Sequence, residues 1–457
     1  MLSGELTTKS VNKVYLKYLI PTLLGMLSNS VYCIVDIYFV SAGSGSQGLA
    51  AMNICMPVFT VLSCFGLLFG VGGATVMSVS QGCGDLKTRN KAFSASVIMM
   101  LITGLLFTVF GILFRKEFAY LLGSDDILLP LVLEYLTPVL CSALPFVLMY
   151  SLSVLLRADN NPKLAMVSLM VGNISNIILD YVFVSVFNMG IFGASFATSI
   201  APVLSLGVAS FHFICKKNSV HFTIKAYDLK VIGRIVSVGV GSGIMELSAG
   251  AIIFMFNSAI LRLGGDVYLA AYAVITNIAY VFKGLLNGFA QAAQPLISTN
   301  FGSGIIKRCT RSLRVCLIYS SVFCVVCYGI ITVFPGFIVS FFSNGDGEME
   351  LIASKGMIMY FSSLLFTGIN TMLMYFFQSI EQGTKALLLA VCKGFLFVTL
   401  GLWVLTSVMG VDGVWYSVLF GEILTLVIAL PMILGSVKKL KNSKYKSQFT
   451  AEAISDK

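Results

Sequence analysis

The sequence contains few charged residues. Only 11% of its 457 residues are Asp, Glu, Lys or Arg, against roughly 25% in a soluble domain. Hydrophobic residues make up 57%, and the mean hydropathy is +0.93. A chain with so little charge cannot cover a water-facing surface, which excludes a soluble multidomain protein. At about 20 residues per membrane span, the length instead fits about ten to twelve transmembrane helices and no large extramembrane domain.

The signatures of enzymes and metal sites are also missing. There are two histidines, His212 and His221, and no H-E-x-x-H, G-x-S-x-G or G-x-x-x-x-G-K-[ST] motif. ATP-driven transport and histidine-based catalysis are therefore disfavoured, and we expect neither an enzyme nor a resident metal or cofactor. Eleven cysteines are present, nearly all in apolar runs. Even the C-x-x-C pair of Cys324 and Cys327 lies at membrane depth, where packing explains it.

Long apolar runs predict twelve membrane spans. The predicted spans are 14–40, 49–79, 92–114, 131–156, 164–187, 190–215, 235–261, 268–298, 312–342, 352–380, 386–409 and 412–435.

The positive charges alternate between the two sides of these spans. Of the 30 Lys and Arg, 24 lie on the side that carries both termini and four lie on the other side. An excess of this kind marks cytoplasmic loops, and it also explains the net charge of +10 without a nucleic-acid partner. We therefore expect a multi-pass protein of the cell (plasma) membrane with both termini in the cytoplasm.

The two halves of the chain align with each other at a constant offset. Residues 49–92 match 269–312 without a gap, and at the same offset Gly190 falls on Gly410. Six spans per copy give both copies the same orientation, which is the parallel repeat of many secondary transporters; a duplication without a transport role is the alternative. The sequence thus predicts an all-α polytopic membrane protein with four parts. They are a six-helix lobe at 1–217, a cytoplasmic linker at 218–234, a second six-helix lobe at 235–437 and a Lys-rich cytoplasmic tail at 438–457.

Polar residues inside the first lobe predict an ion site. Asp36 lies in span 1, Asn176 and Asp180 lie on one face of span 5, and Thr198 lies at comparable depth in span 6. A charge in the middle of a bilayer is costly and therefore calls for an explanation. Desolvation and mutual repulsion favour protonated carboxyl groups, whereas a sodium ion favours the same oxygens ionised. The alternative is that both acids lie near the outer ends of their spans and face water.

The second lobe carries a different set of polar groups. Its charges, at Glu246, Lys283, Lys393 and Glu422, align with no charge in the first lobe. Structural Lys–Glu pairing is one interpretation, and hydrogen bonds between packed helices explain buried amides. The other interpretation is a polar or substrate site formed by Glu246, Asn277, Lys283, Asn287, Gln291, Asn370, Gln378 and Lys393.

Several short segments, in this order, resemble the MATE (multidrug and toxic compound extrusion) family over essentially the whole chain. They are Pro21 and Asp36 in span 1, the segments 82–85 (GCGD) and 156–163 (LRADNNPK), Asn176 with Asp180, the segment 190–194 (GIFGA) with Thr198, and the segments 294–297 (QPLI) and 300–304 (NFGSG).

The resemblance implies export of drugs or toxins, driven by inward flow of protons or sodium through alternating access. It implies an ion-coupling site at Asp36, Asn176, Asp180 and Thr198, and a span 1 that bends near Pro21. Substrates are expected to be amphipathic, often cationic small molecules, and the protein is expected to be a monomer in contact with membrane lipid.

Other functions remain as alternatives. The first is a flippase of the same superfamily for lipids or lipid-linked oligosaccharides, which requires a strongly cationic cavity. A major-facilitator carrier is disfavoured because residues 82–91 lack its Gly-x-x-x-Asp-Arg-x-Gly-Arg pattern. A membrane receptor and an intramembrane enzyme are the alternatives from other classes.

Overall fold

Two long helices are each divided by a glycine into two membrane spans. A computed structural model describes residues 4–223, 228–340 and 347–441. In it the helices Val11–Cys83 and Leu229–Gly302 have 73 and 74 residues. At 1.5 Å per residue, each would be about 110 Å long if straight, whereas the hydrocarbon core of a bilayer is about 30 Å thick. Each is broken where a glycine has a positive φ, at Gly45 (61°) and Gly265 (74°), and therefore supplies two spans.

The described residues form twelve spans, and the span numbers are used below. Spans 1, 2, 7 and 8 are residues 11–44, 46–83, 229–264 and 266–302. The remaining spans, in chain order, are Leu86–Leu113 (3), Leu129–Cys141 with Ala143–Ala158 (4), Pro162–Val186 (5), Gly190–Ile214 (6), Ile306–Val333 (9), Gly347–Phe361 with Leu364–Ser379 (10), Gly383–Met409 (11) and Val411–Lys441 (12). In the same part of the chain, the short helices Gly4–Thr8, Arg115–Leu121 and Pro335–Ser340 lie between or before them.

Four spans depart from a regular α-helix. Spans 4 and 10 bend by 53° and 42° between their two helical segments. Spans 5 and 11 each contain a π-helical segment, at Tyr181–Val186 and Cys392–Leu396. Irregular backbone of this kind is often found at functional sites, and in span 5 it begins directly after Asp180.

The predicted fold class is confirmed, with longer helices than the apolar runs indicated. Span 7 begins at Leu229, so the end of the predicted linker 218–234 is helical. Span 12 continues to Lys441. Helix hydrogen bonds continue past the hydrocarbon boundary, so hydropathy locates only the middle of each helix. Residues 224–227 of the predicted linker and 442–457 of the predicted tail lie outside the described residues.

Glycines with positive φ recur at the offset of the sequence repeat. Gly45 and Gly265, Gly84 and Gly304, and Gly190 and Gly410 form three pairs at that offset, and all six have φ between 56° and 79°. A side chain at such a φ is strained, so glycine is the favoured residue at these turns. The two lobes therefore share their turns as well as their sequence pattern.

The hydrophobic core joins the lobes at one end and leaves them separate at the other. We call the end that carries Val11, Gly84 and Lys441 the terminal side, and the end that carries Gly45 and Gly265 the opposite side. Toward the terminal side one cluster includes residues of both lobes, such as Tyr15 and Phe289. Toward the opposite side the first lobe has its own cluster and the second lobe has another. The molecule is therefore a V that is closed on the terminal side.

Close backbone contacts between the lobes form this closure. A Cβ atom on Gly239 of span 7 would lie 1.8 Å from the carbonyl oxygen of Leu68 in span 2. A Cβ atom on Gly82 would lie 2.2 Å from the carbonyl oxygen of Thr299. Only glycine permits such an approach, so these positions determine how tightly the lobes close.

Candidate functional site

The predicted ion-site residues come together inside the first lobe. Thr198 Oγ1 donates to Asp36 Oδ1 at 3.4 Å. With the amide of Asn176 oriented to satisfy both of its neighbours, its nitrogen donates to Asp180 Oδ2 at 3.1 Å and its oxygen accepts from the backbone nitrogen of Thr198 at 3.2 Å. Spans 1, 5 and 6 thus bring four polar side chains, distant in the chain, into one cluster.

Both acids of this cluster are buried. Asp36 is 5% exposed and Asp180 is 0% exposed, so the alternative that they face water does not hold in this state. Within the described residues neither carboxyl group has an ion-pair partner, and Asp180 Oδ1 has no hydrogen-bond partner. A buried charge without a partner is strongly unfavourable. The cluster is therefore suited to binding a proton or another cation.

A small cavity lies beside the acid cluster. It has a volume of about 10 Å³, and Asn176 and Thr198 line it together with Tyr32 and Pro202. That volume holds about one water molecule. The cluster therefore has room beside it for a single small species.

A larger cavity separates the lobes at mid-depth. Its volume is about 90 Å³, and its walls include Met26 and Ser63 of the first lobe and Glu246, Lys283 and Asn287 of the second. Its walls are partly apolar, through Met26, Leu67 and Leu169. Apolar walls with a few polar groups are typical of small-molecule sites, so this cavity is the candidate substrate site.

The structure divides the predicted second-lobe set. Glu246, Lys283, Asn287 and Gln291 line the cavity between the lobes. Asn277 is exposed and is not part of that lining. Gln378 is buried inside the second lobe, where its Nε2 donates to Ser242 Oγ at 2.9 Å. Helix packing therefore accounts for Gln378.

Asn370 and Lys393 also lie away from the cavity, around Glu422. The ammonium of Lys393 is 3.2 Å from Glu422 Oε1 and donates to Thr371 Oγ1 at 2.6 Å and to Thr367 O at 3.2 Å. Asn370 Nδ2 donates to Glu422 Oε2 at 2.7 Å. The two charged side chains are only 9% and 4% exposed. They form a buried ion pair with several hydrogen bonds, which matches the structural interpretation.

The predicted hinge, Pro21, is buried within span 1. Proline lacks the backbone N–H and removes one helical hydrogen bond, which weakens the helix locally. Thr22 Oγ1 donates to Tyr18 O nearby, at 2.8 Å. Span 1 thus contains a weakened turn between its terminal end and Asp36.

Among the residues that contact the opposite lobe, two were not among the predicted site residues. The hydroxyl of Tyr280 lies 3.4 Å from Asn29 Nδ2, and its place one helical turn before Lys283 on span 8 was a usable signal. Arg157, 1% exposed, donates from Nη2 to Gln291 Oε1 across the lobes. Nothing in the spacing of Arg157 indicates that partner, because the contact depends on how the lobes pack.

A fold of two lobes of membrane-spanning helices with a cavity between them is the architecture of a membrane transporter. The MatE family model matches residues 21–182 and again residues 242–403. The two matches fall on corresponding parts of the two lobes, in line with the repeat. The chain belongs to the MatE family.

Known relatives cover nearly the whole chain. The multidrug export protein MepA of Staphylococcus haemolyticus is 26% identical over 437 residues, which are 95% of this chain and 96% of that protein. MepA of Staphylococcus saprophyticus is 25% identical over 426 residues, 93% of this chain and 94% of that protein. A solved structure, described as the outward-facing conformation of a multidrug resistance MATE family transporter, superimposes with a TM-score of 0.90 at 22% identity, covering 96% of this chain and 100% of that one.

Proposed function

We propose that this protein is a secondary active efflux transporter, which exports amphipathic and often cationic small molecules in exchange for inward-moving protons or sodium ions. Family membership and the similarity to multidrug export proteins support export of drugs or toxins. The cavity between the lobes provides a place for the substrate. The proposed unit is a monomer in contact with membrane lipid, in which one chain forms both lobes.

The observation that carries the ion coupling is the acid cluster in the first lobe. Asp36 and Asp180 are buried without a cationic partner among the described residues. A proton or sodium ion that binds there removes a charge from the interior of the lobe. The free energy of ion binding therefore differs between conformations in which span 1 makes different contacts. A ligand that binds two conformations with different free energies shifts the equilibrium between them.

The proposed cycle alternates between two openings of the V. In the state described, the lobes join on the terminal side and are separate on the opposite side. The Lys and Arg distribution favours a cytoplasmic terminal side, and in that orientation this state faces outward. Ion binding at Asp36 and Asp180, with bending of span 1 near Pro21, then favours release of substrate outward and return of the lobes.

The lipid-flippase alternative is not favoured. It requires a strongly cationic cavity, whereas the charged side chains that line this cavity in the described part of the chain are one Glu and one Lys. The curated relatives are export proteins.

The test uses purified protein in proteoliposomes. A fluorescent lipophilic cation is followed under an imposed pH gradient or an imposed sodium gradient, with protein-free vesicles as the control. Transport against the dye gradient that depends on one of the two ions supports the proposal and identifies the ion. Equal dye movement with and without protein under both gradients would refute it.

A further inference from the structure

Glu246 and Lys283 form an ion pair that faces the cavity between the lobes. Glu246 is on span 7 and Lys283 is on span 8, and Glu246 Oε2 lies 3.0 Å from Lys283 Nζ. Their side chains remain 21% and 30% exposed. Among the described residues, they are the charged side chains of the cavity wall. The cavity therefore contains one charge of each sign and has no net charge.

Both members of this pair retain free hydrogen-bonding capacity. An ammonium has three donors and a carboxylate has about four acceptor positions. In the described part of the chain, the Lys283 ammonium pairs with Glu246 Oε2, and Glu246 Oε1 has no polar partner. The pair Lys393–Glu422 in the same lobe differs, because there the ammonium and the carboxylate have further partners in Thr371 and Asn370. Of these two pairs, the cavity pair is thus the one able to accept ligand groups.

The charge balance of the cavity favours a ligand with both charges over a ligand with a single charge. A monocation that pairs with Glu246 leaves Lys283 without its counter-charge in a partly buried site, and separating a partly buried pair is costly. An anion at Lys283 leaves Glu246 alone in the same way. A molecule with both charges replaces the protein's pair by two new pairs and leaves no charge unmatched.

We propose that Glu246 and Lys283 are a two-point site for the head group of zwitterionic amphipathic substrates, with the ligand cation on Glu246 and the ligand anion on Lys283. This proposal rests on the proposed export function and names a substrate class for it. The cavity of about 90 Å³ is small beside typical ligand sites of about 300–1,000 Å³. It accommodates a head group, and the apolar part of the ligand extends into the open cleft between the lobes.

The cavity wall around the pair fits this arrangement. Asn287 lies one helical turn from Lys283, and Ser63 faces them from the first lobe. These neutral groups are able to donate or accept hydrogen bonds without adding a net charge. Tyr150 and Tyr280 supply aromatic surface beside the charges, which suits the ring of an amphipathic ligand.

The test measures binding separately from transport. Rhodamine 110, which has a free carboxylate and a cationic ring system, is compared with its methyl ester rhodamine 123, a cation of nearly the same shape. Fluorescence anisotropy with the purified full chain in detergent gives both affinities. We expect the zwitterion to bind about tenfold more tightly, which is the scale of one charge-assisted hydrogen bond.

Two variants make the test specific. Lys283→Gln leaves Glu246 free for cations and is expected to reverse the preference in favour of the ester. Lys355→Gln is the matched control, since it removes a lysine from a Lys–Asp pair with Asp412 that lies away from the cavity, and the preference is expected to stay as in the wild type. Equal or tighter binding of the ester to the wild type, or an unchanged preference in Lys283→Gln, would overturn the proposal.

This outcome is distinguishable from failure of the export function. Ion-driven transport of the ester with no preference for the zwitterion refutes the two-point site and leaves export intact. Tight, Lys283-dependent binding of the zwitterion without ion-driven transport supports the site and refutes export.

Discussion

The two lobes share one architecture but differ in how the acids within their membrane spans are balanced. In the first lobe, Asp36 and Asp180 are buried and no cation balances them among the described residues. In the second lobe, Glu422 and Glu246 are each paired with a lysine. When each lobe is counted from its glycine break, Asp36 corresponds to Phe256, which is 1% exposed. The same structural position is thus an acid in one lobe and core packing in the other.

The wall of the central cavity shows the same division. Three of the polar residues that line it from the second lobe have counterparts in the sequence repeat that line it from the first lobe. The polar three are Glu246, Lys283 and Asn287, and the counterparts are Met26, Ser63 and Leu67. The two copies of the repeat therefore carry two different kinds of site. Uncompensated acids suit reversible ion binding, and compensated charges suit either a rigid core or substrate recognition.

The largest expected effect comes from unbalancing the second lobe. Glu422→Gln leaves Lys393 buried without its counter-charge, and removing one partner of a buried ion pair costs about 3–5 kcal/mol. Thermal unfolding of the detergent-purified protein checks this. The double variant Lys393→Met with Glu422→Gln is the control and is expected to recover most of the lost stability. A single variant as stable as the wild type would contradict the structural role of the pair.

Removing an acid from the first lobe is not expected to lower the stability of the protein. Asp36→Asn and Asp180→Asn each delete an acid that has no cationic partner in the described residues, so neither substitution leaves a cation without its counter-charge. In sodium-free neutral buffer, unfolding temperatures equal to or above that of the wild type are expected. A destabilisation as large as that of Glu422→Gln would break the comparison between the lobes, because it would reveal a hidden counter-charge.

A substitution at the contact between the lobes is expected to have a smaller effect than the loss of Glu422. A Cβ at Gly239 would lie 1.8 Å from the carbonyl oxygen of Leu68, and overpacking costs about 1–3 kcal/mol. That cost applies to the state closed on the terminal side, so Gly239→Ala is expected to shift populations about 5–150-fold toward separation there.

Spin labels at Lys87 and Lys307, equivalent positions on the terminal side, would report the longer distances by pulsed electron spin resonance. Gly207→Ala is the control, since no atom lies within 4 Å of the added Cβ. Identical distance distributions in Gly239→Ala and Gly207→Ala would contradict this account of the closure.

The smallest effect concerns the start of the second lobe. The Asp228 side chain accepts from Lys230 N at 3.1 Å and caps span 7, so Asp228→Ala is expected to cost about 1 kcal/mol. Asp228→Asn keeps the cap acceptor and loses only the partly exposed ion pair with Lys91, worth about 0.5 kcal/mol. The unfolding midpoint should be highest for the wild type, lower for Asp228→Asn and lowest for Asp228→Ala. If Asp228→Asn were as unstable as Asp228→Ala, loss of the charge and not loss of the cap would explain the destabilisation.

The pH dependence of this effect has a definite sign. The hydrogen bond from the Lys91 ammonium is the main cause that holds the pKa of Asp228 below its ordinary value. A depressed folded-state pKa contributes stability above the unfolded pKa and loses it as the pH falls through the folded value. The difference in unfolding free energy between the wild type and Asp228→Asn should therefore be constant from pH 6 to 8 and should decrease at acidic pH, as Asp228 becomes protonated.

The sequence predicted the features that depend on local composition. Apolar runs located the spans, and an acid at membrane depth is conspicuous, which identified Asp36 and Asp180. The apolar runs placed breaks at 41–48 and 262–267, but hydropathy did not identify Gly45 and Gly265 as the residues that make the turns. The pairing of Lys393 with Glu422 was only one of two open interpretations, because it depends on the packing of spans 11 and 12. The contact between Arg157 and Gln291 crosses the lobes and has no local signal.

The most direct test of the account measures ion movement driven by substrate. Proteoliposomes loaded with a fluorescent cation are diluted into dye-free buffer, and uphill movement of protons or sodium is recorded together with dye movement. The account predicts that Asp36→Asn abolishes the ion movement while dye still equilibrates down its own gradient, and that Lys393→Met with Glu422→Gln retains both. Ion movement that persists at the wild-type rate in Asp36→Asn would contradict the assignment of coupling to the first lobe.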